Sequence, residues 1–241
     1  MLNAIRADIY KLLRGKGLYI TLLVVIIGAY ITISGYTGIN SVSRLHLDTE
    51  VLPFFLIAII TIIIMPMFTN GTVKNTLAWG MPRAKLYFSK LLLCFILCVL
   101  ITALFMGSGL LISTVINGWG GETPGNFFIN MLKTTAAQLL FLLAYTAIGV
   151  FLAFTIKKSI ALISILFTIA FAHVVVRVIA DILSINPEPL MRFEIIRSIR
   201  TLSQVTQLEA FDVHILFAVG VMYIIVSTVA GIILFNKAEI K

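Results

Sequence analysis

Six long apolar runs recur along this chain, and they limit what it can fold into. A helix needs about 20 apolar residues to cross the roughly 30 Å hydrocarbon layer of a bilayer. The runs lie at about Leu18–Tyr36, Leu52–Phe68, Leu86–Ile112, Ala136–Ile156, Ile160–Leu183 and Val213–Phe235. Only 12% of the residues are charged, about half the roughly 25% of a typical soluble domain. The sequence therefore predicts an all-α integral membrane protein with six transmembrane helices, which form a single transmembrane domain over residues 1–241.

The distribution of lysine and arginine indicates how these spans are oriented, because cytoplasmic loops of membrane proteins are enriched in both residues. If the N-terminus is inside, 12 of the 18 lysines and arginines fall in cytoplasmic segments, and six crossings return the C-terminus to the cytoplasm. The net charge is +8. The basic residues flank the apolar runs and form no single patch, which argues against a nucleic-acid partner. The twelve residues are Arg6, Lys11, Arg14, Lys16, Lys74, Arg83, Lys85, Lys90, Lys157, Lys158, Lys237 and Lys241.

Residues 1–16, MLNAIRADIYKLLRGK, predict an amphipathic helix that lies at the membrane surface and contacts lipid. The apolar residues share one stripe of this helix and the basic residues mostly take other angles, which is typical of interfacial helices. A basic cytoplasmic tail that only orients the first span is compatible with the same residues. The stripe consists of Leu2, Ile5, Ile9, Leu12 and Leu13.

Three connecting segments are predicted outside the membrane. Residues 37–51 and 113–135 are of moderate length, and the second contains the turn-forming run NGWGGETPGN. Residues 184–212 form the longest segment, and an amphipathic helix over residues 190–208 could lie on the outer surface.

Small residues indicate where spans pack closely, although glycine and alanine are common in such helices. Residues 107–109, Gly-Ser-Gly, would permit either a break in the third span or a close helix contact. In the fourth span the small residues Ala144, Ala147, Gly149 and Ala153 predict a packing face.

Residues 69–85, TNGTVKNTLAWGMPRAK, interrupt the apolar sequence between the second and third spans and predict a short helix. A side-chain oxygen of Thr69, Asn70 or Thr72 could cap its start by accepting an unpaired backbone N–H. Val73 and Leu77 are four residues apart and should share one face.

The same helix should end soon after Trp79. Gly80 can adopt the left-handed conformation that closes a helix, and Pro82 cannot continue one. Positive charges lie in or beside the segment, at Lys74, Arg83, Lys85 and Lys90. A short helix with an apolar tip on a basic loop suits binding by another protein. A turn whose basic residues only set the topology is the alternative.

The fifth span carries three ionisable residues, His173, Arg177 and Asp181, at helical spacing on one face. Ionisable groups within a bilayer are costly and usually face the protein interior or a water-filled cavity. One hypothesis is therefore a polar patch on the translocation path. The favoured alternative is that Arg177 and Asp181 pair with each other near the outer end of the span.

Motifs for catalysis, metal binding and ATP hydrolysis are missing. The chain has no HExxH pair, no GxxxxGK[ST] loop and no G-x-S-x-G elbow, so no enzyme activity, metal site or cofactor of its own is expected. Cys94 and Cys98 lie on one helix face and are interpreted as buried small apolar residues.

An ion-gradient-driven carrier would need a protonatable group near the membrane midplane, for which His173 is the candidate. A membrane protein that confers immunity by binding a peptide without moving it is a further alternative.

The stretch FTNGTVKNTLAWGMPRAKLYFSK, with six spans and a basic amphipathic N-terminus, resembles the ABC type-2 permeases. More narrowly, the chain is similar to small bacterial permeases of peptide-antibiotic export and immunity systems, such as those for lantibiotics and bacitracin. The opening DIYKLLR, Asp8 to Arg14, also fits the start of these proteins. The residues that carry the main likeness are Gly71, Thr72, Lys74, Asn75, Leu77, Gly80, Arg83 and Lys90.

This resemblance implies an assembly in the bacterial cell membrane. Two permease subunits, expected to be identical copies, would pair, and each would touch one of two separate ATP-binding subunits that bind ATP and magnesium. The substrate would be an amphipathic or antimicrobial peptide. Residues 69–85 would be the coupling helix, 1–14 the interfacial helix and 184–212 extracellular.

The resemblance also assigns roles within the coupling helix. Val73, Leu77 and Trp79 would supply apolar docking contacts to the ATP-binding subunit, and Lys74, Arg83 and Lys85 would form a polar rim. The coupling residues are Thr72, Val73, Lys74, Asn75, Leu77, Trp79 and Arg83.

Overall fold

A computed structural model describes residues 2–121, 125–183, 194–203 and 210–238. This part of the chain is α-helical and contains no strand. A 3₁₀ helix at Asp48–Val51 connects α3 to α4. The α-helices are α1 (Leu2–Arg14), α2 (Lys16–Ile33), α3 (Gly38–Leu47), α4 (Leu52–Thr69), α5 (Thr72–Ala78), α6 (Arg83–Asn117), α7 (Phe127–Ile156), α8 (Ser159–Leu183), α9 (Ile195–Thr201) and α10 (Ala210–Lys237).

Five helical stretches within these ranges are long and apolar enough to cross a membrane, and α8 is a sixth if its two parts count as one span. The five are Lys16–Ile33, Gly38–Thr69, Arg83–Asn117, Phe127–Ile156 and His214–Lys237. The parts of α8 meet at an angle of 52° between Ala172 and Val174. The prediction of an all-α membrane protein is therefore confirmed. The orientation of the termini stays a prediction.

The segment 37–51, predicted as an outer connection of moderate length, is helical for most of its length. α3 and the 3₁₀ helix run into α4, so that Gly38–Thr69 is one helical stretch. Val42 and Leu45 are buried, as are the polar residues His46 and Thr49. The buried side chains show that this helical segment packs against the rest of the bundle.

α6 is longer than the third predicted span and extends past it at both ends. Its 35 residues correspond to about 52 Å at 1.5 Å per residue. Its far end is held by Ser113 and Asn117, which donate hydrogen bonds of 2.6 and 2.8 Å to the carbonyl of Tyr36. The helix does not break at Gly107–Gly109. Gly109 instead lies against Leu45, and a Cβ there would come within 2.7 Å of it.

α7 lies at the centre of the bundle and packs against α4, α6, α8, α9 and α10. The small residues that predicted a packing face on this helix are all buried, which confirms that prediction. The large residues Phe141, Tyr145 and Phe154 are buried beside them.

α1 packs on the bundle beside α2 and α6, and its predicted apolar stripe is divided. Ile5 and Leu12 are buried, whereas Ile9 and Leu13 are 39% and 53% exposed. The side chain of Leu2 lies outside the described part. Apolar residues therefore lie on both the covered and the exposed side of α1, and its position at the membrane surface stays a prediction.

The longest predicted outer segment is described only in part. Within 184–212, the structure places a helix at Ile195–Thr201, shorter than the predicted helix over 190–208, whose flanks lie outside the described residues. Glu194 caps this helix by accepting the backbone N–H groups of Ile196 and Arg197. The buried residues Ile195, Ile196 and Ile199 pack it against the bundle.

Candidate coupling site

The short helix predicted within residues 69–85 is present as α5, which has seven residues. Its start differs from the expected one, because no side chain caps it and Gly71 is the N-cap, with φ at +64°. Thr72 instead donates to the carbonyl of Met67 at 3.3 Å. A left-handed residue between α4 and α5 turns the chain sharply, which is why a glycine replaces the usual capping side chain. Gly80 has φ at +80°, which confirms the predicted end.

Val73 and Leu77 share one face of α5, as predicted, but that face lies against the rest of the bundle. Val73 is only 2% exposed, and Leu77 is half-buried against the core. The side chain of Val73 is already covered by this chain's own residues, and its expected docking contact with a partner stays a prediction. Val73 fixes α5 to the bundle.

The outward surface of α5 combines an aromatic tip with polar residues. Trp79 is 91% exposed, although a tryptophan side chain usually buries most of its large apolar area. Lys74 and Asn75 are also exposed on this helix, and Lys85 is exposed at the start of α6. This set, Lys74, Asn75, Trp79 and Lys85, is here called the α5 outer surface, and the side of the bundle that carries it is the α5 end.

Arg83 contacts the last helix of the protein. Its Nη1 atom donates to the carbonyl oxygens of Phe235 at 3.2 Å, Asn236 at 2.8 Å and Ala238 at 2.7 Å. These carbonyls belong to the C-terminal end of α10, where the last turn lacks intrahelical partners and the helix dipole favours a cation. Arg83 thus has an intramolecular contact that was not predicted, and its predicted rim role stays a prediction.

Four aromatic rings pack together at the α5 end of the bundle. The ring of Phe154 lies 5.6 Å from that of Phe68, 4.9 Å from that of Tyr87 and 4.8 Å from that of Phe235. Each of these residues comes from a different helix, so α4, α6, α7 and α10 meet here. Gly231 completes the packing, because a Cβ at this position would overlap the hydroxyl of Tyr87.

α1 is joined to the same end of the bundle by an ion pair that the sequence reasoning missed. Lys90 Nζ lies 2.8 Å from Asp8 Oδ1, and the two side chains are only 7% and 17% exposed. Lys90 was counted as one of the basic residues of the loop, but it lies in α6 and is buried. Asp8 is the only acid in the otherwise basic residues 1–16, which was the one available signal for this pairing.

The comparison with known families decides what kind of protein carries this site. A family model described as ABC-2 family transporter protein matches residues 4–175, more than two thirds of the chain. The chain belongs to the ABC-2 transporter family. No curated protein matches it. This membership identifies the chain as a membrane permease of an ABC transporter, and it implies an ABC ATP-binding partner. The permease is the transport subunit of such a system and not its ATPase.

At the end of the permease opposite α5, Gln138 of α7 connects α3 to α9. Its Nε2 atom donates to the carbonyls of His46 at 2.8 Å and Ile199 at 2.9 Å. Its Oε1 atom lies 3.0 Å from His46 Nδ1 and 3.3 Å from Thr49 Oγ1. Since this oxygen only accepts, His46 carries its proton on Nδ1. Gln138 and Thr49 are fully buried. Sequence reasoning did not single out this network.

The three ionisable residues of the fifth span lie in α8 of the permease. The backbone of α8 contains His173, Arg177 and Asp181, and the helix bends next to His173. Their side chains lie outside the described part of the chain. Both the pairing of Arg177 with Asp181 and a role for the three residues on the translocation path therefore stay predictions.

The two cysteines of the permease are buried free thiols, as expected. Cys94 and Cys98 are both 0% exposed and unpaired with each other. Among the residues that the structure describes, no group of three or more histidine, cysteine or acidic side chains could hold a metal ion.

Proposed function

We propose that this chain is the permease subunit of an ATP-driven exporter that moves an amphipathic or antimicrobial peptide across or out of the bacterial cell membrane. In this proposal the protein is one transmembrane domain over residues 1–241, and a second, identical copy completes the path. The observation that carries the proposal is α5, a short helix fixed to the bundle by Val73 and presenting an exposed Trp79.

The α5 outer surface suits a groove on an ATP-binding subunit. Tryptophan is enriched among the interface residues that contribute most to binding energy. It does so when the partner buries its side chain. An apolar centre with a polar surround is the usual arrangement of a protein interface, and Lys74, Asn75 and Lys85 would supply the surround. Residues 69–85 thus act as the coupling helix in this proposal, with Trp79 as its main docking residue.

ATP binding would close the two ATP-binding subunits and move the two coupling helices toward each other. Val73 and Leu77 connect α5 to the core, so that a displacement of α5 displaces α4 and α6. The rings of Phe68, Tyr87, Phe154 and Phe235 would pass that displacement to α7 and α10. The family membership favours this ATP-driven mechanism over a carrier driven by an ion gradient.

An amphipathic peptide is the proposed substrate because the spans offer aromatic surface. Phe54 lies 5.4 Å from Phe167 and 5.2 Å from Phe171 between ring centroids. Phe167 and Phe171 remain 40% and 48% exposed. Such a surface suits apolar side chains better than a small ion, which requires ordered oxygen ligands.

The test is co-expression with the ATP-binding subunit encoded nearest to this gene, followed by purification through a tag on the permease. The ATP-binding subunit should co-purify with the parent protein and be lost from Trp79→Asp, with membrane abundance unchanged. Lys158→Asp, an exposed position between α7 and α8, is the control and should retain it. Equal recovery with Trp79→Asp would refute the coupling role.

The substrate is tested separately with inverted membrane vesicles that contain the complex. A labelled amphipathic cationic peptide should enter them only when ATP is supplied. A complex that assembles normally but neither accumulates such peptides nor hydrolyses ATP faster in their presence would refute the peptide assignment. The same result would favour a membrane protein that confers immunity without transport.

A further inference from the structure

We propose that Arg83 is a positioning residue that makes the start of α6 and the end of α10 move together when α5 is displaced. The inference rests on the proposed function, because it assumes that an ATP-binding subunit displaces α5. It goes beyond that function by giving a residue of the coupling segment a role inside the permease and by assigning the last helix a part in the coupled motion.

The contact between Arg83 and α10 has the geometry of a strong and specific attachment. One guanidinium nitrogen lies within 3.2 Å of three carbonyl oxygens, those of Phe235, Asn236 and Ala238. These oxygens are the acceptors that a helix end leaves without intrahelical partners. The two N–H groups of this nitrogen are shared among the three oxygens, and arginine suits such a cluster because its guanidinium stays charged. The acceptors are more than 150 residues away in sequence, so the contact is not a local helix cap.

Arg83 lies at the point where a displacement of α5 enters the bundle. It is the first residue of α6 and follows α5 after only four residues, 79–82. Lys85, two residues further on, is exposed. The guanidinium therefore connects α10 to the part of α6 that is nearest to the α5 outer surface.

A second set of contacts joins the same two helices, so Arg83 is not needed to hold them together at rest. Tyr87 lies 3.5 Å from the carbonyl of Ser227 and packs against Gly231. Phe235 packs on Phe154, which itself packs on Tyr87. These contacts keep α6 and α10 together at rest without Arg83. We expect the loss of Arg83 to leave the resting arrangement unchanged and to separate the helix ends only under load.

The experiment measures the distance between two spin labels in the complex of the permease with its ATP-binding subunits, reconstituted in lipid nanodiscs. The labels are placed at Phe88→Cys on α6 and Lys237→Cys on α10, both of which are exposed. Cys94 and Cys98 are fully buried and should not react. Distances are recorded without nucleotide and after trapping with ATP, magnesium and vanadate.

With Arg83 present, the mean label distance should be the same in both states. Arg83→Gln should match the parent without nucleotide and shift only in the trapped state. Arg83→Lys should show a smaller shift, because lysine keeps the charge but lacks the rigid planar group that directs the N–H donors. Lys158→Gln is the control and should behave as the parent.

Three results would overturn the inference. They are a distance that changes on trapping although Arg83 is present, an Arg83→Gln variant that never shifts, and an Arg83→Gln variant that is already shifted without nucleotide. The last result would mean that Arg83 only stabilises the end of α10. Failure of the parent protein to bind ATP-binding subunits would instead refute the proposed function, and it is detected before labelling.

Discussion

Lys90 of α6 and Asp8 of α1 form an ion pair of 2.8 Å in a site largely removed from solvent. The pair lies within two segments that resemble known permeases, DIYKLLR and the stretch that ends at Lys90. It attaches α1 to α6, the helix that directly follows α5. The attachment of α1 therefore depends on a charge pair as well as on the apolar residues Ile5 and Leu12.

Asp8→Asn should destabilise the protein, because it leaves the Lys90 ammonium in a buried position without a counter-charge. Removing one partner of a buried pair typically costs about 3–5 kcal/mol of stability. Because Asp8 keeps some exposure to solvent, we expect a cost at the lower end of that range. The measurement is thermal unfolding of the purified permease in detergent. The exchange of both charges, Asp8→Lys with Lys90→Asp, should recover part of the loss. Unchanged unfolding temperatures for Asp8→Asn would contradict the prediction.

Val73→Ala should reduce stability without weakening the ATP-binding partner's affinity, because Val73 faces the core. Loss of its two methyl groups should cost about 2 kcal/mol. Trp79→Ala should leave the unfolding temperature unchanged, since the Trp79 side chain is 91% exposed. It should instead weaken binding of the ATP-binding subunit by about 2 kcal/mol, or roughly 30-fold in Kd. Binding titrations and thermal unfolding on both variants check this contrast, and a drop in affinity with Val73→Ala would count against it.

Gln138→Leu should loosen the end of the bundle that carries α3 and α9. The substitution leaves the carbonyls of His46 and Ile199 and the Nδ1 proton of His46 without their partner, at about 1–3 kcal/mol for each unsatisfied group. Hydrogen exchange should rise in α3 and α9 while α5 stays as protected as before. Thr155→Val, on the exposed side of the same helix α7, is the control. An increase in hydrogen exchange that is equal across the whole protein in the Gln138→Leu variant would be evidence against this role.

Gly231→Ala should be poorly tolerated, because the added methyl group would overlap the ring of Tyr87. Overpacking of this kind typically costs about 1–3 kcal/mol. The matched change Gly107→Ala meets no atom within 4 Å and should stabilise α6 by up to about 1 kcal/mol. Unfolding temperatures of the two variants should therefore move in opposite directions. A Gly231→Ala protein as stable as the parent would show that Tyr87 adjusts without cost.

The spans and the helix at α5 could be predicted because each depends on neighbours in sequence. Apolar runs must become helices in a bilayer, since no water is available there for the backbone. Gly80 and the shared face of Val73 and Leu77 follow from local geometry. The sequence does not specify what a face packs against, which is why Val73 was assigned to a partner.

The missed contacts join residues that are far apart in the chain. Asp8 and Lys90 are 82 residues apart, and Gln138 is 92 residues from His46. Arg83 reaches α10 across more than 150 residues. Each of these side chains resembles an ordinary loop or span residue until the fold brings its partner within hydrogen-bond distance.

The rings around Phe154 have a mechanical consequence for the four helices that contribute them. A helix that rotated alone about its axis at this level would pull its ring out of a packed cluster and expose apolar area. Relative movement of α4, α6, α7 and α10 should therefore be smallest near Phe154 and increase with distance from it. The widest separation during a transport cycle would then occur at the ends of these four helices that lie farthest from Phe154.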